Sequence, residues 1–352
     1  MEQLGKILLA PVGWLFGGVA DVRHWLHRRG IAHRAVFDLP VICVGNLSVG
    51  GTGKTPHVEY LIRLLKDEHQ LAILSRGYRR KTKGFLMADE ESTAESIGDE
   101  PAQVWMKYGQ EVTVAVGEER ALAIPHILND QPSTDVIIMD DGFQHLAVKP
   151  SFSVILTDFG RPFFSDLPLP AGRLRERRWR ASDADVIIVT KCPTGLSQQV
   201  CNDYRKQIAK YAGVTPVFFS AIRYETPRSI GTNQWDAQRD TLLISGIAKP
   251  QVFEQGAKER MKVKGHLAYG DHHHFTEKDL MQIRAKASQY PNPVQLLCTE
   301  KDAVKLKKWA SEESELGKWL TEVLFYLPIS IGFLSEEEAE QFGTLIKGAV
   351  EC

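Results

Sequence analysis

The chain has 352 residues, 43% hydrophobic and 25% charged, so it can bury a large core and form two domains. Its formal net charge of -1 gives no argument for nucleic acid as a partner. The five cysteines are scattered, without the Cys-x-x-Cys pair that would suggest zinc or a redox couple, and they favour a reducing compartment.

The first 35 residues differ in composition from the rest. Residues 7–20 carry no charge, and a basic run follows at 23–34. As a helix, an apolar segment of this length rises about 21 Å, which is short of the roughly 30 Å of a bilayer's hydrocarbon core. The basic run follows the apolar segment instead of preceding it, which argues against a signal peptide. The segment is therefore either a helix packed on the main domain or an interfacial helix with aromatic anchors and lipid-facing arginines.

From Val41 onward the hydrophobic pattern alternates between strands and helices. Helix-like segments such as 56–69 and 121–129 separate most of the apolar, β-branched runs, which are VICVGN, LAILSRG, EVTVAVG, DVIIMDD, FSVILTD and DVIIVTK. This alternation predicts an α/β fold with a mostly parallel sheet that is covered by helices on both faces.

A polar stretch after about Tyr224, ETPRSIGTNQWDAQRD, indicates a linker. A smaller α/β unit is expected after it, with strands near TLLISGI, HLAYG and VQLLCTE. We therefore expect three parts: a helical segment at 1–35, a larger domain at 36–224 and a smaller α/β domain at 225–352. The last segment of the chain is free to pack back on the larger domain.

A glycine-rich turn joins the first predicted strand to the helix after it. The turn consists of Ser48, Val49, Gly50, Gly51, Thr52, Gly53, Lys54 and Thr55. Such a turn wraps backbone N–H groups around phosphates at a positive helix N-terminus. Lys54 would reach the terminal phosphates, and the Thr55 hydroxyl would ligate magnesium. Because Ser48 occupies the first glycine position of the strict G-x-x-x-x-G-K-[ST] pattern, a chance glycine-rich turn is the alternative.

Two carboxylates end another predicted strand. In DVIIMDDGFQH, four apolar residues at 136–139 indicate a buried strand, and Asp140 and Asp141 stand at its C-terminal edge. Parallel sheets place ligands at that edge, and a nucleoside triphosphate site needs carboxylates there to organise its metal ion. The pair therefore favours a metal role over a structural cap, in a P-loop NTPase-type domain.

Phosphoryl transfer also needs a group that positions and deprotonates the acceptor. Asp99 and Glu100 in IGDEP stand at an apparent helix start, where an N-cap role is equally consistent with the sequence. Three histidines follow one another at 272–274. Adjacent strand residues point to opposite faces, so the three cannot all bind one zinc ion from regular structure. A histidine paired with a distant carboxylate is the more economical interpretation.

Arginines are concentrated in AGRLRERRWR, residues 171–180. A solvated basic helix face is one explanation. The other is a patch facing an anionic acceptor or an anionic lipid surface, which Arg76 of LSRGYRR could join.

Seven motifs together resemble one known family, the tetraacyldisaccharide 4'-kinases, which phosphorylate the lipid A precursor. The motifs occur in order across most of the chain: GNLSVGGTGKTP, SRGYRR, GDEP, DDGFQH, LPAGRLRE, DHHHF and TEKDAVK. The resemblance implies an ATP- and magnesium-dependent kinase. It would transfer phosphate to the 4'-hydroxyl of an acylated glucosamine disaccharide 1-phosphate in lipid A (lipopolysaccharide) biosynthesis. It also implies an N-terminal membrane-associated helix at the cytoplasmic face of the bacterial inner membrane, and we infer no protein partner.

The resemblance also assigns roles to residues of this sequence. The acceptor base falls on Asp99 and is oriented by His272, although the adjacent His273 and His274 leave that choice open. Lys54 and Asp140 complete the expected catalytic set, and Thr55, Asp140 and Asp141 the metal site. The residues expected to line the cleft are Arg76, Tyr78, Glu100, Arg120, Arg175 and Glu176.

Two other classes use a nucleotide-binding loop in a parallel sheet. A nucleotide-switch GTPase or a metal-insertion chaperone should carry [NT]-K-x-D, but VTKCP has Pro193 where the aspartate belongs, and TEKD has an extra residue before Lys301. A membrane-bound scaffold that only binds ATP would leave Asp99 and the histidines without a purpose.

Overall fold

The structure, a computed structural model, describes residues 2–351. Met1 and Cys352 lie outside the described residues, as do the side chains of 2–8, 10 and 16, which include part of the apolar segment 7–20. Within the described range the chain forms a sheet of nine strands and a sheet of five.

The strands are numbered in chain order: β1 (Val41–Asn46), β2 (Leu71–Ser75), β3 (Leu86–Met87), β4 (Thr113–Val116), β5 (Val136–Asp140), β6 (Phe152–Asp158), β7 (Val186–Thr190), β8 (Val217–Tyr224), β9 (Arg228–Ser229), β10 (Thr241–Ser245), β11 (Val263–Ala268), β12 (Gln295–Thr299), β13 (Leu324–Leu327) and β14 (Ile329–Phe333). The helices are α1 (Glu2–Arg28), α2 (Lys54–Leu65), α3 (Ala94–Ile97), α4 (Asp99–Tyr108), α5 (Arg120–Asp130), α6 (Gln198–Ala212), α7 (Pro250–Lys258), α8 (Glu277–Ala287), α9 (Glu300–Ala310), α10 (Glu315–Val323) and α11 (Glu336–Val350).

The larger sheet has the strand order β14-β8-β7-β6-β1-β5-β2-β4-β3. Its neighbours are parallel, except that β14 pairs with β8 and β3 pairs with β4 in antiparallel fashion. β1 lies between β5 and β6, with Val44 opposite Asp140. The glycine-rich turn after β1 and the carboxylates after β5 therefore meet at the carboxyl edge of the sheet, where such folds bind ligands.

The two faces of this sheet bury separate apolar clusters. Ile42 and Val44 point to the face covered by α2, α4 and α11, while Val41 and Cys43 point to the face covered by α5 and α6. The alternation follows from the two-residue period of a strand. The predicted fold class, a mostly parallel α/β sheet with helices on both faces and a smaller α/β unit, is confirmed.

The smaller sheet has the order β11-β10-β12-β13-β9, and all its pairs are parallel except that of β9 with β13. After β13 the chain returns to the larger sheet through β14 and α11. The expected division at residues 35 and 224 stays a prediction, because membership of a sheet does not by itself define an independently folding unit.

Helix α1 has one face on the larger unit and another in solvent. Asp21 accepts a hydrogen bond from Trp179 Nε1 at 2.9 Å, and buried His24 lies 2.8 Å from a carboxylate oxygen of Asp183. On the other side, Trp14 and Leu15 are 68% and 72% exposed. Among the described residues, no helix is both long and apolar enough to cross a membrane. The helix is therefore packed on the larger unit and also presents apolar side chains to solvent, and its interfacial role stays a prediction.

Candidate functional site

The turn between β1 and α2 is fixed through its carbonyl oxygens. The Thr190 hydroxyl donates to the Thr52 carbonyl at 2.8 Å, His57 Nδ1 to the Gly53 carbonyl at 2.7 Å, and Lys191 to the Gly51 carbonyl. Within residues 2–351, the N–H groups of Gly50, Gly51 and Gly53 donate no hydrogen bond. The carbonyl oxygens of the turn are hydrogen-bonded to the protein, whereas these N–H groups remain available to an anion. Free amides at a helix N-terminus are typical of an anion-binding turn.

Glycine is required at two positions of this turn. Gly50 and Gly53 have φ angles of 108° and 90°, which side-chain-bearing residues rarely adopt. Ser48, at the position of the missing first glycine, forms an isolated bridge with Leu174, so the start of the turn is held by the arginine-rich segment.

His57 was not singled out by the sequence analysis. Its ring is buried, and Nε2 lies 3.0 Å from the Ser220 hydroxyl on β8. Because a carbonyl only accepts, Nδ1 carries the proton and Nε2 accepts from Ser220. Burial lowers the pKa of His57 to about 4, so the imidazole is neutral near pH 7. His57 lies two residues after the glycine-rich turn in the sequence, but the sequence does not indicate its partner on β8.

The two carboxylates after β5 differ in their surroundings. Asp140 is buried, and its Oδ1 has no hydrogen-bond partner among the described residues. Burial raises the pKa of Asp140 to about 7. Burial acts on Asp141 in the same direction, but Lys54, whose Nζ lies 3.6 Å from Oδ1, and Arg175 outweigh it and lower the Asp141 pKa.

Arg175 connects the turn to the carboxylates. Its guanidinium donates to both oxygens of Asp141, at 2.8 and 3.3 Å, and to the backbone carbonyl of Asn46 at the end of β1. This bidentate geometry suits arginine and not lysine. Asp141 has a φ of 53°, a strained conformation of the kind that proteins retain at functional sites.

A magnesium ion fits this edge. Among the described residues no group of three or more His, Cys, Asp and Glu side chains could hold a metal ion by itself. An ion bound by Asp140 would satisfy the unpaired buried oxygen of this residue.

Asp99 and His272 lie close together although they come from distant parts of the chain. Asp99 is the first residue of α4, and His272 lies in the loop after β11. His272 Nδ1 lies 2.9 Å from Asp99 Oδ2, whereas His273 contacts Asp279, with Nε2 3.0 Å from its Oδ2. His272 has a φ of 60°, a conformation that residues other than glycine rarely adopt. The structure thus pairs Asp99 with His272 and gives His273 a local partner.

The residues expected to line the cleft differ in their contacts. Glu100 forms an ion pair with Lys301 of α9, with its Oε1 2.5 Å from the lysine Nζ. The ring of Tyr78, an exposed side chain, lies 6.2 Å from that of His272. The exposed Arg76 acts electrostatically on Arg120, whose pKa is lowered mainly by burial.

Glu176 is turned away from solvent. Its two oxygens contact Gln144 Nε2 at 3.1 Å and Arg180 Nε at 3.3 Å. Gln144 also donates to the carbonyl of Asn46 at 2.8 Å, so Glu176 supports the backbone behind the turn.

The arginine-rich segment is not a solvated helix face. It is an irregular loop followed by a short 3-10 helix at Arg178–Asp183, and Arg180 is buried against Glu176 and Asp183. Arg177 contacts Trp14 and Asp21 of α1. Arg177 and Arg180 therefore have protein partners, and the first of the two explanations, a solvated helix face, is wrong. The second, a patch facing an anionic acceptor or lipid surface, stays a prediction.

Comparison with known proteins decides the family. The family model described as Tetraacyldisaccharide-1-P 4'-kinase matches residues 5–348. The chain belongs to this family. Relatives named tetraacyldisaccharide 4'-kinase include one from Bacteroides thetaiotaomicron, 39% identical over 97% of this chain and 92% of the relative, and one from Flavobacterium johnsoniae, 40% identical over 96% and 95%.

A solved structure agrees with this membership. The "apo" form of LpxK from Aquifex aeolicus, crystallised in complex with ATP, is 27% identical to the chain. It covers 98% of this chain and 99% of its own, with a TM-score of 0.76. The family resemblance that the seven motifs indicated is thus confirmed.

Proposed function

We propose that the protein transfers the γ-phosphoryl group of ATP to the 4'-hydroxyl of an acylated glucosamine disaccharide 1-phosphate, a step of lipid A biosynthesis. It is a phosphotransferase with an alcohol acceptor, as its family membership requires. The contact of 2.9 Å between Asp99 and His272 carries the proposal, because a GTPase switch or a metal-insertion chaperone has no use for an acceptor base at the nucleotide edge.

Each group has a role in phosphoryl transfer. The amides of Gly50 to Gly53 and the ammonium of Lys54 would hold the triphosphate and stabilise the oxygens of the migrating group. Thr55, Asp140 and Asp141 would hold magnesium, which supplies charge neutralisation at the phosphates when bound. Asp99 would accept the proton of the acceptor hydroxyl. The hydroxyl oxygen then bonds to the γ-phosphorus while the bond from that phosphorus to ADP breaks and ADP leaves. Arg175 keeps Asp141 in place.

The exposed face of α1 supports a membrane-surface location. Exposed apolar side chains recur along the helix, namely Val12, Trp14, Leu15, Val19, Val22 and Trp25. Their spacing forms a stripe, with tryptophans of the type that anchor at bilayer interfaces. We infer that α1 lies in the cytoplasmic leaflet of the inner membrane as a peripheral or monotopic anchor, so that the cleft meets its lipid acceptor.

Incubation of the purified protein with γ-labelled ATP, magnesium and a disaccharide 1-phosphate lipid tests the function. Label should move to the lipid, and neither an acceptor that lacks the 4'-hydroxyl nor a chelator-treated reaction should give product. Hydrolysis of ATP at the same rate with and without the lipid would contradict the proposal and favour a nucleotide switch.

A further inference from the structure

The carboxylate of Asp99 has a lysine neighbour in addition to His272. Lys305 Nζ lies 3.1 Å from Asp99 Oδ2, the same oxygen that faces His272 Nδ1. Both partners are largely shielded from water, since the side chains of Lys305 and Asp99 are 5% and 10% exposed. Among the described residues, Oδ1 of Asp99 takes part in no hydrogen bond or ion pair. One oxygen is therefore held from two sides, and the other is left for a ligand.

Helix α9 organises both of these partners. It presents Lys305 directly, and one turn earlier Lys301 pairs with Glu100, the neighbour of Asp99. The fully buried Asp302 lies on the same face of the helix and accepts from the Gly246 amide at 3.0 Å. The Gly246 carbonyl in turn accepts from the amide of His272 at 3.0 Å. A single helix thus sets the position of the imidazole and of the ammonium.

We propose that Lys305 is a positioning residue for the acceptor base. Its ammonium fixes Asp99 Oδ2 together with His272, so that Oδ1 is left to face the acceptor hydroxyl. A carboxylate in so dry a setting is stabilised by a permanent opposite charge, which the Lys305 ammonium supplies. The motif TEKDAVK thereby acquires a role: Lys301 and Lys305 hold the two acidic residues of GDEP, and Asp302 holds the histidine loop.

The inference rests on the proposed function, and Lys305→Met tests it. We expect kcat for lipid phosphorylation to fall about a hundredfold, as for a misplaced catalytic group, while the KM for ATP stays within twofold because the nucleotide turn is untouched. Lys307→Met is the matched control, since Lys307 is an exposed residue of the same helix, and it should match wild type.

Two further measurements separate positioning from mere support of the fold. Ethylamine should restore part of the activity of Lys305→Ala in a saturable manner and leave Lys307→Ala unchanged. In an Asp99→Asn background, Lys305→Met should cost less than threefold further, because both residues act through one carboxylate. Because this double variant lacks both charges of the pair, it has no unpaired buried carboxylate. Its activity can therefore be measured even if Lys305→Met alone leaves Asp99 unpaired and does not fold.

Two results would overturn the role of Lys305: activity of Lys305→Met within threefold of wild type, or multiplicative losses in the double variant without rescue by amine. Either can occur while the wild-type protein phosphorylates the lipid, which leaves the proposed function intact. If the wild-type protein forms no labelled lipid in the same assay, the proposed function fails instead.

Discussion

His57 and Gly53 are joined by a hydrogen bond of 2.7 Å from the imidazole Nδ1 to the carbonyl oxygen at the last turn of the phosphate loop. The other ring nitrogen lies 3.0 Å from Ser220, 163 residues away. A neutral histidine thus connects the loop to a strand near the edge of the sheet.

His57→Phe should weaken both the fold and the site. It leaves the Ser220 hydroxyl without a partner and the Gly53 carbonyl with only the longer bond from the backbone amide of residue 57, at 3.4 Å, so we expect a loss of about 2 kcal/mol in the free energy of unfolding. The KM for ATP should rise about tenfold, the equivalent of about 1.4 kcal/mol of lost preorganisation. His57→Asn can still donate to the carbonyl and should keep the KM near that of wild type. Denaturant titration and steady-state kinetics measure the two effects.

The same histidine should make stability depend on pH. Its pKa in the folded protein, about 4, is below the ordinary value of 6.5, so between these values the unfolded chain binds a proton that the folded chain excludes. Its contribution to stability is complete above pH 6.5 and is lost as the pH falls toward 4. Wild type should therefore lose stability relative to His57→Asn across that window. Parallel stability curves for the two proteins would be inconsistent with a buried neutral imidazole.

Lys54→Ala should reduce turnover on the order of a thousandfold, because positioning and electrostatics supply nearly all the catalysis in phosphoryl transfer. The measurement is single-turnover transfer from labelled ATP to the lipid acceptor. Lys66→Ala, at the other end of the same helix, is the control and should be silent. A Lys54→Ala enzyme within a few fold of wild type would remove the phosphate-loop assignment.

Asp99→Ala and His272→Ala should each lower kcat and leave ATP affinity nearly unchanged. The double variant should lose little beyond the more severe single change, since groups that act as one unit are not additive. Kinetics of the four proteins at one pH give the coupling. A severe loss in His273→Ala combined with a silent His272→Ala would show that the partner of Asp99 has been misassigned, despite the contact of 2.9 Å.

The exposed stripe of α1 should carry membrane binding. Replacing Leu15 and Val19 with serine removes apolar area worth about 2 kcal/mol of transfer, so binding to anionic vesicles should fall about thirtyfold. The KM for lipid should rise and that for ATP should not. Unlike deletion of residues 1–35, this change spares the contact between His24 and Asp183. Serine at the exposed Val214 and Val252 is the control, and equal binding by the two double variants would contradict an anchoring role for α1.

The sequence alone determined the features that local pattern encodes. Apolar, β-branched runs of six or seven residues and the helical period between them predicted the core strands β1, β2, β4, β5, β6 and β7, because alternation and apolar periodicity are local properties. The glycines located the turn between β1 and α2, because its conformation needs residues that tolerate positive φ. Seven ordered motifs were enough to indicate the family.

Only the tertiary structure decided which distant residues meet. Asp99 and His272 are 173 residues apart, and nothing local distinguishes His272 from His273 or links Lys305 to the base. The tie from His57 to Ser220, the return of β14 to β8 and the burial of Arg180 likewise depend on contacts across the fold. Local propensity acts over a few residues, whereas these pairings are selected by the burial of charge and of apolar surface in one compact arrangement.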